Sequence, residues 1–170
     1  MVKLKKLVET EEAMEKFIAD YRIPPNVSLR HYKEGEWHLK RRTGEMVIPF
    51  LAFVKGGIRI PMGPVMRSYL RHFRLAPTQC AANMFRILGC VDALNKKIGL
   101  RLIHHDVNWC YNLQHLKGKS YYMKTRDDRV RLIQCLPESN KGLNKEFLIV
   151  SGEWHDGLPC PIVEGEPGGV

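Results

Sequence analysis

A transposase or integrase needs three carboxylates around two metal ions, which activate water and steady the leaving oxygen. The candidates are Asp92, Asp106, Asp127, Asp128, Asp156 and Glu164. Asp92 falls inside a helical pattern beside its apolar stripe, Asp106 stands where a helix cap is expected, and Asp127 with Asp128 reads as a turn. None sits where the ends of several strands would bring three together. Soft metal ligands fare no better. His104, His105 and Cys110 lie close in sequence, as do His155 and Cys160, but neither group has the further partners of a tetrahedral site. A Cys-x2-Cys-x4-His-x4-Cys knuckle is absent, and so are an Asp-Thr/Ser-Gly triplet, GxxxxGK[ST] and GxGxxG. Cysteine catalysis would need a positioned histidine base, and no local signature supplies one. The chain is therefore expected to be no enzyme, with no cofactor, no metal and no small-molecule substrate.

Charge points to binding instead. Lys plus Arg number 27 against 18 Asp plus Glu, a formal net charge of +9. Such a surplus suits a polyanion or an anionic surface. Two clusters concentrate it. Lys40, Arg41 and Arg42 are consecutive, and Arg67, Arg71 and Arg74 fall on one helical face at i, i+4 and i+7. Both are candidate nucleic-acid contacts, although a charged stripe is also what a solvated helix side looks like. Ser139-Asn140-Lys141-Gly142 could cradle a phosphate, but Asn and Gly are turn formers first. Trp37, Trp109 and Trp154 could stack on bases. The apolar neighbours of Trp109 and Trp154 favour core packing, and Trp37, among polar residues, stays open.

These residues must be carried by a core, and the core is read most clearly between Pro61 and Gly99. A helix over about 64–74 places Val65, Tyr69 and Phe73 together with Met66 and Leu70. A second, over about 82–97, aligns Met84, Ile87, Leu88, Val91, Leu94 and Ile98. Thr10 followed by Glu11 and Glu12 starts a helix over about 10–21, with Met14, Phe17, Ile18 and Tyr21 as its stripe, stopped by Pro24 and Pro25. Val27 to His31 alternates as a short strand does. The apolar run before Gly56 and Gly57 reads as a helix over about 48–55, with Pro49 in its first turn. Val107, Trp109, Cys110, Leu113 and Leu116 indicate a helix over about 106–116. The period then changes, and 121–124, 129–136 and 146–150 read as strands, the first two joined by a hairpin turn at Asp127 and Asp128. The expected fold is α+β: a helical core with a small antiparallel sheet from about 120–151.

The 170 residues suit one domain over 1–156, with a flexible Gly- and Pro-rich tail over 157–170. Five cysteines, odd in number and widely spaced, argue for reduced thiols. The lysine-broken N-terminus and the lack of any bilayer-length apolar run predict an intracellular protein with no membrane partner.

Four segments in order carry a resemblance. They are Tyr21-Arg22-Ile23-Pro24 with Val27 and Leu29; Gly57 to Met62 with Pro64-Val65; Leu75-Ala76-Pro77 with Asn83, Arg86 and Ile87; and Ser139-Asn140-Lys141-Gly142 through Lys145, Phe147, Val150, Ser151, Gly152 and Trp154. Together, over about 19–154, they resemble the gypsy-type transposon ("transposase") domain of plant retroelement proteins. The resemblance implies a retroelement-derived module and transfers no catalytic residue. A nucleic-acid-associated or assembly role is expected, with self-association or contact with other element-encoded proteins. A protein-interaction module without nucleic acid is the alternative, and a metal-dependent nuclease comes last.

Overall fold

A computed structural model describes residues 4–32, 44–116, 120–136 and 146–154. The class is α+β, and the described residues build five α-helices and two small antiparallel sheets. Thr10 caps α1 (Glu11–Asp20), its hydroxyl accepting from the Ala13 amide at 3.2 Å, and Glu11 and Glu12 complement the helix dipole. Phe17, the buried residue of that stripe, meets Phe50 and Phe53 at ring-centroid distances of 5.2 and 5.6 Å.

The first sheet has the order β1-β5-β2, from Val27–His31, Phe147–Gly152 and Met46–Pro49. Strand β5 is central, with Val150 opposite Leu29 on one side and Met46 on the other. The helix expected over 48–55 is shorter: α2 spans Phe50–Val54, and Met46 to Pro49 are strand. The β-branched Val47 and Ile48 pair with Ile149 and Leu148, and the extended Pro49 caps the helix from outside. Gly57, at φ +66°, supplies the left-handed residue that ends the turn after α2.

Helices α3 (Pro64–His72) and α4 (Ala82–Ile98) form the expected central pair. Their facing sides bury Val65, Met66, Tyr69 and Leu70 with Met84, Ile87, Leu88 and Val91. Helix α3 ends two residues before Arg74, which sits in the following turn at φ +51°. The last turn of α4 leaves the core, so Ile98 is exposed.

The region after Gly99 differs most from the reading by periodicity. Helix α5 spans only His104–Cys110; Asp106 is not its cap residue but lies in its first turn, reaching back to accept from the Ile103 amide at 2.8 Å. Residues Tyr111–Leu116 are strand β3, paired with β4 (Ser120–Thr125) so that Leu113 faces Met123. Residues 129–136 are no strand. Their polar groups are engaged locally: Asp127 takes the Arg129 amide at 2.9 Å, Arg131 pairs with Asp128, and the Ile133 amide donates to the Tyr111 hydroxyl at 3.0 Å. The β3–β4 hairpin is joined to α4 by Asn83, whose side-chain amide donates to the Met123 carbonyl at 2.7 Å.

Candidate nucleic-acid interface

The short helix α5 turns Val107 and Cys110 into the core, three residues apart on one side. Trp109 therefore emerges on the other side and is 81% exposed. The core position expected for it from its neighbours is not where it lies. Its surroundings are concave. With His105, Asn108, Cys110, Arg126, Asp127 and Val130 it lines an open hollow of about 700 Å³. Strand β4 ends directly beneath α5, and the Arg126 amide donates to the Cys110 carbonyl at 2.9 Å. The Arg126 side chain is held in the wall by its Nε, which donates to the Asn108 carbonyl at 2.8 Å. Its terminal nitrogens have no partner among the described residues.

Arg126 and Asp127 bring one cation and one carboxylate to the wall of the hollow. Asp127 is gripped by Arg129 at 2.7 Å, and that side-chain bond holds its carboxyl below the usual range. Burial, aided by Asp106, pushes the Cys110 thiol up and away from the thiolate.

On the His105 side the hollow meets a second group. His72, at the end of α3, approaches His104 and His105 with ring centroids 4.8 and 5.3 Å away, and the latter two lie 4.2 Å apart. The rings pack against one another. Among the described residues no group of three or more His, Cys, Asp or Glu could hold a metal ion. Burial and the two neighbouring histidines lower the pKa of His104, against a smaller opposing pull from Asp106. Arg71 and Arg74 flank His72 in sequence and are exposed. Exposed cations thus stand on either side of His72 in sequence, and His105 borders the hollow.

Arg67 does not share that surface. It is 6% exposed, because α3 packs against α5 as well as α4 and the buried arc widens to include it. Its charge lies near Asp92 and helps keep that carboxylate ionised, so it serves the interior and not the basic face. Lys40, Arg41 and Arg42 lie outside the described residues, as do Trp37, Ser139 to Gly142, Asp156, Glu164 and the 157–170 tail. Trp154 is buried as expected, its indole N–H donating to the Gly44 carbonyl at 3.0 Å. The described carboxylates are engaged separately: Asp92 with α3, Asp106 with Ile103, Asp127 and Asp128 with arginines.

A second concavity, about 550 Å³, lies between the start of α3 and the middle of α4, lined by Arg59, Met66, Gly89, Asp92 and Lys96 among others. Its carboxylate is occupied by the amides of Val65 and Met66. Comparison with protein-family models, with curated proteins and with solved structures gave no match. Among the described residues no helix is long and apolar enough to cross a membrane. The class stands as α+β, and function has to be argued from the surface.

Proposed function

We propose that this chain is a non-catalytic, retroelement-derived module that binds nucleic acid through a basic edge. That edge runs from the end of α3, with Arg71 and Arg74, across His72 and His105 to Arg126. The observation that carries the reading is the 5.3 Å approach of His72 to His105, which makes two separately encoded basic segments neighbours. The net charge of +9 and the separate engagement of Asp92, Asp106, Asp127 and Asp128 support it. The resemblance to gypsy-type proteins is part of the same reading. Its best motif runs from Ser139-Asn140-Lys141-Gly142 through Lys145 to Trp154; the described part, Phe147 to Trp154, forms β5 and the turn that seats Trp154. An intracellular location, cytoplasmic or nuclear, goes with this function.

The test is a salt titration of binding to a labelled duplex and a single strand of equal length. The logarithm of the affinity should fall linearly with the logarithm of salt, by about 0.9 per phosphate neutralised on duplex. R71E/R74E should flatten the slope and weaken binding. Flat salt dependence, or no binding at low salt, overturns the reading. A second reading, a protein-docking module, is favoured by the exposed Ile98, Leu100 and Ile103 between α4 and α5. It predicts self-association that survives R71E/R74E.

A further inference from the structure

The hollow beneath α5 has a chemistry that charge alone does not explain. An indole 81% exposed contributes little to folding, so its placement calls for a partner outside the chain. Beside it stands a guanidinium whose Nε is already fixed to the Asn108 carbonyl, leaving the terminal N–H groups aimed by a held stem. Val130, itself half exposed, adds an apolar surface, and His105 closes the far side. A planar π-face, an apolar wall and an oriented cation within about 700 Å³ match a nucleotide: the ring for a base, the guanidinium for its phosphate.

We propose that this hollow takes one unpaired nucleobase, stacked on Trp109, with the adjoining phosphate at Arg126. The inference rests on the nucleic-acid reading above and narrows it to single strands. Bases in a duplex are stacked on their neighbours, and their faces are closed to a side chain unless the base is extruded. One indole in a hollow therefore selects strands that are already open. The negative charge of Asp127 is turned toward Arg129, which offsets part of it through a forked contact. DNA and RNA share the chemistry described, and the sugar is left to experiment.

The experiment is fluorescence anisotropy with a labelled 12-nucleotide DNA strand, the RNA of the same sequence and the matching DNA duplex. It uses the full chain and the variants W109A, W109F and R126Q. Single strands should bind more tightly than duplex. W109A should weaken them by about 5- to 150-fold while leaving the duplex affinity unchanged. W109F, which keeps a ring, should recover most of the loss, and R126Q should lower the salt slope by about one phosphate. Equal single-strand affinity of W109A and wild type overturns the inference, and so does an equal loss on duplex. In either case salt-dependent binding that R71E/R74E weakens leaves the broader reading standing. Binding of no nucleic acid at low salt removes both, and a Trp109-dependent dimer in that event assigns the hollow to protein contact.

Discussion

The Asp92 carboxylate on α4 accepts the backbone amide of Val65 at 2.8 Å, capping α3 from a neighbouring helix. Its other oxygen takes the Met66 amide at 3.2 Å. Helix α3 has no cap of its own, since Gly63 stands at the position where Ser, Thr, Asp or Asn would normally serve. Glycine is required there by contact. A Cβ on residue 63 would lie 2.1 Å from Asp92 Oδ2, so any side chain evicts the carboxylate.

D92A should cost about 1–2 kcal/mol in urea unfolding, the usual worth of a lost cap. G63A should cost a similar amount by the same route. The double variant should then cost much less than the sum, because both changes remove one interaction. Additive losses would show that Gly63 matters for another reason. Burial raises the Asp92 pKa, so the folded state holds this proton more tightly than the unfolded chain. The contribution of Asp92 to stability should therefore fall as pH rises from about 4, and D92N should remove that dependence.

Trp109 and Trp154 should part company in thermal unfolding. W109A should change stability by less than about 0.5 kcal/mol, as expected of a surface site. W154A, which empties a fully buried position and orphans the Gly44 carbonyl, should cost about 3–5 kcal/mol. A large loss from W109A would mean that the indole packs on the fold.

Reversing Arg67 should damage the structure and not only the binding. R67E places a second acid beside Asp92 in the interior, and a loss of about 3–5 kcal/mol is expected. R71E/R74E should unfold as wild type does, within about 1 kcal/mol, since both residues are exposed. Circular dichroism melts of the two variants decide this before any binding experiment is read.

Acid should strain the contact between α3 and α5. The lowered pKa of His104 means that the unfolded chain takes up this proton more readily than the folded one. Stability should then fall as pH drops below about 6.5 and keep falling through the lower folded value. H104Q should flatten that part of the profile. Nucleic-acid binding should move the other way, strengthening as protonation of His104 adds charge beside the edge. Measuring both between pH 7.5 and pH 5, buffers being matched in ionic strength, separates the two trends.

What the residue order made legible was helix spacing. Helices α1, α3 and α4 have stripes repeating at three and four, and each stands within two residues of its expected end. The apolar run at Met46 to Val54 had no period to choose between strand and helix, and it turned out to be both. Residues 106–116 fit a helical period, yet Tyr111 to Leu116 alternates equally well, and pairing with β4 decided it. The hollow was hidden because its parts come from α5 and the end of β4, and only the early stop of α5 at Cys110 brings them together. A seven-residue helix that buries two residues leaves its large aromatic outside, and that was the available signal. Arg67 was misplaced because an i, i+4, i+7 pattern gives a face but not how wide the buried arc is.

Strand β5 stands between β1 and β2, although it follows them by about a hundred residues. During synthesis, at about 5–20 residues per second, the two outer strands emerge from the ribosome with no edge to pair with until residue 152 has followed them out. Val27, Leu29, Met46 and Ile48 then spend several seconds bare, and this interval is where a chaperone would find its grip.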